Sequence, residues 1–402
     1  MIEIQGKYNS AKIFIDDIES TALSQIYSLI NHSAFKDSKI RIMPDCHGGK
    51  GCVVGFTASN IEVAIPNIIG VDISCGMLAL NLGDIELNLE EIDNFIINNI
   101  PNGSQINDKI QFDNQYLQLE INNVCKKFGD KPNRHLMSVG SLGGGNHFIE
   151  IAKDNIGNKW LIIHSGSRNF GLKVAKYHQN IAKKYCFTKR GELRSQRDKY
   201  LGTCKNLDQN KVKELEENLD RYKVPKELSF LEGELVQNYL SDMKVAMDFA
   251  HESRKSMAKR ICDFIGVKHI KYQFETLHNY FDYENKIIRK GAASSKEGEN
   301  ILIPINMRDG SILAVGKGNS DWNESAPHGA GRVLSRSKAK ELLDMDGFSK
   351  TMSGIFSTSI LESTLDEAPQ AYKDMSVILD NIGDTVKVLD ILKPIYNFKA
   401  HK

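Results

Sequence analysis

Along the chain, amphipathic stretches alternate with short blocks rich in glycine and histidine. Apolar residues recur at three- and four-residue spacing over 85–99 and 109–127, a period that predicts amphipathic helices. The span 233–265 reads as one long helix or two in succession. Strands are predicted at Trp160 to His164, and at Thr276 to Phe281 paired with Lys286 to Lys290. A hairpin is predicted from Ile301 to Met307, turning through Asp309-Gly310 into Ser311 to Val315. The glycine-rich blocks fall at 44–55, 70–76, 140–147, 164–171, 289–294, 304–318 and 328–332. A site built from blocks that far apart draws on nearly the whole chain. The expectation is therefore one α+β domain over 1–402, with mixed sheets carrying the site and helices packed outside. The stretch 183–227 follows a predicted helix and reads as an exposed, charged helical insertion.

Composition narrows the function classes. The 402 residues hold 52 Lys and Arg against 51 Asp and Glu, a net charge of +1. That balance argues against a broad electrostatic grip on nucleic acid or on a membrane surface. At 41% hydrophobic and 26% charged, the composition is that of an ordinary globular protein. No apolar run reaches the roughly 18 residues of a membrane span, and the start Met1-Ile-Glu-Ile-Gln lacks signal-peptide order. A soluble, cytoplasmic protein is expected. The seven cysteines are scattered without a CxxC pair, which argues against a disulfide framework or a zinc finger.

Candidate chemistry sits in the glycine blocks. Asp72 and Cys75 are three residues apart, followed by Gly76, and such a pair can meet one metal where a strand becomes a loop. A surface aspartate beside a buried cysteine gives the same pattern. His147 follows Gly143-Gly144-Gly145-Asn146, His164 ends a predicted strand, and His278 precedes Asn279. Each alone is also an ordinary interior histidine. With Asp72 and Cys75 they make a mixed oxygen, sulfur and nitrogen set suited to manganese, zinc or iron. His328 stands before Gly329-Ala330-Gly331-Arg332, where an imidazole beside a phosphate can act as base or nucleophile and the arginine can pair with an anion. The bland alternative is a loop histidine in a tight turn.

Gly143 to Asn146 and Gly316 to Asn319 are candidate phosphate-cradling turns, but neither is a P-loop, and no dinucleotide fingerprint follows a strand. Residues 183–199 hold seven basic side chains against two acidic ones, and 332–340 hold Arg332, Arg336, Lys338 and Lys340 with no acid. The second cluster starts inside the His328 block and can lead an anionic polymer toward it.

Taken together, these blocks resemble a known family. Met43 to Gly51, Val71 to Met77, Leu142 to Glu150, His164 to Arg168, His278-Asn279, Arg289 to Ala292 and His328 to Arg336 are similar, in order, to the motifs of the RtcB family of GTP-dependent RNA ligases. The tail from Asp366 to Asp374 and on to Lys399 resembles that family's C-terminus. The resemblance implies the RtcB-like fold, GTP and two Mn²⁺ ions. It implies joining of an RNA 3′-phosphate or 2′,3′-cyclic phosphate to a 5′-hydroxyl, in RNA repair or tRNA splicing, through a GMP adduct on His328 and a guanylylated RNA end. It places Asp72, Cys75 and His147 on one metal and Cys75, His164 and His278 on the other. It puts the nucleotide near Asn146, His147, Phe148, Ile149, Glu150, His278, Asn279, Pro304, Ile305, Asn306, Met307, Ser311, His328, Gly329, Ala330, Gly331, Tyr372 and Lys399. It brings in an activating helper protein, as some relatives use. Arg168, Arg332 and Arg336 are the residues expected to meet RNA phosphates.

Two departures stand out. Asn306 occupies the place of a serine that would contact guanine, and the first block has Cys46 and Gly48 where valine and leucine are usual. The competing reading is a dinuclear metal phosphohydrolase or cyclic phosphodiesterase acting on RNA ends with the same ligands. A non-catalytic binder of RNA ends is a third.

Overall fold

His278 is the point at which one extended segment leaves one sheet and enters another. The structure, a computed structural model, describes residues 1–70, 72–204 and 206–400. Val71, at the head of the Asp72 block, and Lys205, within 183–227, lie outside the described residues. The predicted strand from Thr276 to Phe281 is in fact two: Tyr272–Leu277 and Asn279–Asp282. The first is an edge of a seven-stranded sheet and the second an edge of a six-stranded one. The break is held open at His278, whose N–H donates to the Cys75 carbonyl at 3.0 Å and whose carbonyl accepts from Gly291 at 2.7 Å.

From edge to edge the seven-stranded sheet runs Asn300–Asn306, Gly310–Gly316, Val386–Lys399, Phe148–Lys153, Lys159–Ser165, Gly76–Gly83 and Tyr272–Leu277. All its pairings are antiparallel. Its edges approach each other, with Leu302 N donating to Thr276 Oγ1 at 3.0 Å, so the sheet curls into a nearly closed barrel. Side chains alternate as the pleat requires. Met77, Ala79, Phe148, Ala152, Trp160, Ile162, Leu302 and Leu392 fill one face. Leu78, Leu80, Ile149, Ile151, Leu161 and Ile163 pack on the other against Met257, Ala258 and Ile261 of the helix Glu234–Phe264.

Register then brings distant blocks to one end of this sheet. Lys399 pairs with Phe148, Phe148 with His164, His164 with Met77, and Met77 with Thr276. Cys75, His147 and His278 each lie within two residues of that transverse row.

The six-stranded sheet has the order Ile2–Gln5, Ser10–Ile13, Lys39–His47, Val54–Ser59, Ile287–Lys290 and Asn279–Asp282. A two-stranded ladder of Ala292–Ser294 with Ser325–Pro327 ends immediately before His328. The hairpin predicted around Asp309-Gly310 is present as Asn300–Asn306 with Gly310–Gly316.

Helix starts differ from the periodicity because capping residues set them. Helices begin at Leu89 and Gln115, not 85 and 109, since Asn88 and Asn114 accept from the backbone N–H groups of Glu91 and Leu117. The span near 233–265 is one helix, Glu234–Phe264. No boundary falls at 183: Arg168–Thr203 is one helix of 36 residues. Its buried positions end at Cys186, so the remaining turns and the helix Gln209–Arg221, in which only Leu215 is buried, form an exposed charged hairpin. No helix among the described residues is long and apolar enough to cross a membrane.

Candidate active site and metal centre

A cavity of about 730 Å³ opens where the barrel end, the six-stranded sheet and the His328 loop meet. Its wall includes Asp72, Cys75, His164 and His278 on one side, Glu150, Asn397 and Lys399 on another, and His47, His328, Arg332 and Arg336 across from them.

Five donor side chains converge in two groups that share Cys75: Asp72, Cys75 and His147 in one, and Cys75, His164 and His278 in the other. Cys75 Sγ lies 3.2 Å from His164 Nε2 and 3.4 Å from His147 Nε2, and His147 Nε2 lies 3.0 Å from Asp72 Oδ2. His147 Nδ1 is 2.8 Å from the Leu142 carbonyl. That contact requires the proton on Nδ1 and leaves Nε2 a lone pair facing the carboxylate and the thiol, the usual arrangement of a metal-ligating histidine. Asp72 is also fixed by the Ser167 N–H at 3.1 Å. Gly166 is required beside it, because a Cβ there would stand 2.1 Å from Asp72 Oδ1.

The protonation chemistry suits a cation. Burial first, then neighbouring positive charge, holds His164 and His278 well below the ordinary histidine value, so both rings are neutral. Burial opposes ionisation of Asp72, but the facing His147 ring, the Cys75 thiol and the Arg168 charge hold its carboxyl below the usual range. Burial, followed by the Asp72 charge, pushes the Cys75 thiol well up. A divalent cation reverses that balance by stabilising the thiolate. His164 Nδ1 and His278 Nδ1 are buried without a hydrogen-bond partner. Unpaired buried ring nitrogens are costly, and neutral imidazoles converging with a thiol and a carboxylate fit a bound metal.

The rings continue toward His328. His164 and His278 have centroids 5.2 Å apart, and His278 and His328 4.7 Å apart. His328 Nδ1 lies 2.6 Å from Oδ2 of the fully buried Asp45, and the same oxygen accepts the His328 N–H at 3.1 Å. The ring's remaining nitrogen, Nε2, is thereby left as the lone-pair face. Gly331 makes this approach of chains feasible: its φ is +74° and a Cβ would stand 2.2 Å from the Asp45 carbonyl oxygen.

At the barrel mouth Glu150 Oε2 accepts from Asn397 Nδ2 at 2.8 Å while Oε1 has no partner. Burial pushes this carboxyl up to about 8. Lys399 Nζ lies 3.1 Å from Glu367 Oε2 and donates to the Asn146 carbonyl at 3.2 Å. Glu367 also takes Arg336 at 2.7 Å, Arg332 at 3.4 Å and the Tyr372 hydroxyl at 2.6 Å.

Most of the expected nucleotide residues line the cavity: Asn146, Phe148, Glu150, His278, Asn279, Pro304 to Met307, His328 to Gly331, Tyr372 and Lys399. His147, Ile149 and Ser311 do not. The Ile149 side chain belongs to the opposite face of the sheet, and the Ser311 hydroxyl is buried without a partner. Arg332 and Arg336 line the cavity and Arg168 does not. Its guanidinium is tucked behind the Gly143 loop, donating to Ser141 Oγ and the Gly103 carbonyl. The Gly316 to Asn319 turn is remote from the cavity wall, its Asn319 capping the turn Ser320–Trp322. Asn306 Oδ1 accepts from the N–H groups of Arg308 and Asp309 and its amide donates to Asp309, so the side chain organises its own turn. Gly48 has a packing reason, since a Cβ would collide with Glu19 and Thr21. Sequence reasoning gave no role to Asp45, Lys290, Glu367 or Asn397, although the first three stand inside blocks it had singled out.

The sequence profile of the tRNA-splicing ligase RtcB family matches residues 28–129 and 118–400. The chain belongs to that family. It is 30% identical over 400 residues to the RNA-splicing ligase RtcB of Escherichia coli strain K12, covering 90% of each chain. It is 25% identical to the tRNA-splicing ligases RtcB of Nanoarchaeum equitans, covering 95% of this chain and 90% of the relative, and of Methanococcus maripaludis, covering 87% and 85%. In this RtcB-family chain the five expected donor residues form two groups joined by Cys75, and all but His147 line the cavity.

Proposed function

We propose that this RtcB-family chain is an RNA ligase that joins RNA 3′-phosphate or 2′,3′-cyclic phosphate ends to 5′-hydroxyl ends with GTP and manganese. The observation that carries the reading is the pairing of His328 Nδ1 with Asp45 Oδ2 at 2.6 Å, beside a five-donor cluster. With the proton held on Nδ1, the neutral ring of this cavity-lining histidine keeps its lone pair on Nε2, as a nucleophile requires.

In the first step Nε2 of His328 forms a bond to the α-phosphorus of GTP and the bond from that phosphorus to the bridging oxygen breaks, releasing pyrophosphate. The ring acquires positive charge, and Asp45 stabilises it through the Nδ1–H it already holds. Next, an oxygen of the RNA 3′-phosphate forms a bond to the GMP phosphorus and the N–P bond breaks, returning the lone pair to Nε2. Finally, the 5′-hydroxyl oxygen bonds to the RNA phosphorus, GMP departs, and the hydroxyl proton passes to solvent. Divalent ions held by Asp72, Cys75, His147, His164 and His278 would neutralise phosphate charge and polarise the P–O bonds. Glu150, as carboxylate, can accept from the guanine N1–H and amino group, while Arg332 and Arg336 offer bidentate contacts to phosphates.

Incubation with two RNA strands, one ending in a 3′-phosphate and one starting with a 5′-hydroxyl, tests the reading. Joined product that requires both GTP and Mn²⁺ supports it. Phosphate release without GTP, and no joined product, would instead favour the phosphohydrolase.

A further inference from the structure

The helix Glu234–Phe264 buries a stripe that includes Ala250, Ser253, Met257, Ala258 and Ile261, and in that stripe stands one fully buried arginine, Arg254. Placing a guanidinium there is costly, the more so because Nη2 is buried without a hydrogen-bond partner, so the partners that Nη1 and Nε do hold point to its purpose. Nη1 donates to the Ser74 carbonyl at 2.9 Å and to the Ser165 carbonyl at 2.8 Å, and Nε donates to Glu275 Oε1 at 2.9 Å.

Those three partners are not scattered. Ser74 precedes Cys75, Ser165 follows His164, and Glu275 is three residues before His278, on the strand that leads into it. Their strands are adjacent, with Gly76 opposite both Ser165 and Leu277. Ser74 has φ +57°, a strained conformation for a serine, and is pinned on both sides: its N–H donates to the Asn279 carbonyl at 2.8 Å and its carbonyl accepts from Arg254. Glu275 is itself fixed from the surface by His251, at 2.8 Å.

We infer that Arg254 is a positioning residue for the metal group formed by Cys75, His164 and His278, one guanidinium bracing the backbone beside Cys75 and His164 and the Glu275 carboxylate on the strand that leads to His278. The inference rests on the metal-site reading above. Outer partners that hold ligands in place ordinarily contribute about 10- to 100-fold in metal affinity. The Asp72 and His147 side is fixed separately, through Ser167 and Leu142.

The test is titration of the full-length protein with Co²⁺, a spectroscopic substitute that reports thiolate ligation in the near ultraviolet and ligand geometry in the visible. Wild type should bind two equivalents with a thiolate band; if it shows none, the metal-site reading itself fails. Arg254→Met should weaken the equivalent held with His164 and His278 about tenfold or more and alter its visible bands, with a clearly smaller loss at the other equivalent, which shares only Cys75. Arg254→Lys, which keeps a charge and a donor, should restore part of the affinity. Should Arg254→Met fail to fold, Arg254→Lys and Glu275→Gln are read in the same way for a selective loss at one equivalent. Folded variants that bind both equivalents with wild-type affinity and spectra overturn the inference, as does equal weakening of both.

Discussion

His328 and Asp45 are 283 residues apart in the chain and 2.6 Å apart at the cavity wall. The carboxylate fixes which ring nitrogen carries the proton, so its removal should damage the chemistry more than the fold. Asp45→Asn is expected to slow formation of the GMP adduct at least about 100-fold, with nucleotide binding retained. Single-turnover labelling alongside equilibrium binding separates the two. An unchanged labelling rate would remove Asp45 from the account.

Glu150 supplies a pH prediction. Its carboxyl is raised by burial from an ordinary value of 4.5 to about 8, so the folded chain holds this proton more tightly than the unfolded one. The resulting stability is fully present below about 4.5 and is lost as pH rises through about 8. Glu150→Gln cannot lose it. The Tm of the variant should therefore rise relative to wild type between pH 5 and pH 9. The carboxylate is also the form that accepts from guanine, so GTP labelling of wild type should increase toward pH 8 and the variant should lose preference for GTP over ATP. A variant whose Tm falls relative to wild type at high pH would contradict the assignment.

Cys75 belongs to both donor groups. Cys75→Ala should consequently reduce bound Mn²⁺ more than His147→Ala or His278→Ala, each of which belongs to one group, and should bring adduct formation to background. Metal content measured on the purified variants decides this. Equal losses for all three would argue against a shared thiolate.

Arg336 has a side chain 47% exposed at the cavity wall, tied to Asp366 and Glu367 at its inner end. Arg336→Ala is expected to lose more in RNA joining than in adduct formation, and to lower the salt dependence of RNA binding by about one phosphate contact. A loss confined to adduct formation would reassign Arg336 to the nucleotide.

Much of this site was legible in the sequence because its donors sit in glycine-rich blocks at strand ends. Singly, Cys75, His147, His164, His278 and His328 each admit an ordinary structural reading, and it is their combination in the family motifs that groups them. Three things were hidden for physical reasons. The strand around His278 reads as continuous because β-prone residues, Thr276 on one side and Tyr280 and Phe281 on the other, flank it, and pairing with two different sheets splits it. Arg168 looked like a phosphate ligand by residue type, yet it is half-buried with its guanidinium turned to Ser141 and the Gly103 carbonyl, an arrangement that depends on long-range packing. Arg254 sits in an unremarkable helix, and its partners come from Ser74, Ser165 and Glu275, a set that no local pattern joins. The near-zero net charge likewise concealed an RNA-directed site, since its cationic groups are a few arginines and the ions the donors would hold.

The central claim is that His328 is the covalent nucleophile. Incubation with GTP labelled at the α-phosphate and Mn²⁺, with labelled ATP run beside it because of Asn306, tests it most directly. The account predicts an acid-labile label on the wild-type protein from GTP, and none on His328→Ala with its metal content intact. A label that survives in His328→Ala, or RNA joining by a wild-type protein that never acquires one, would contradict it.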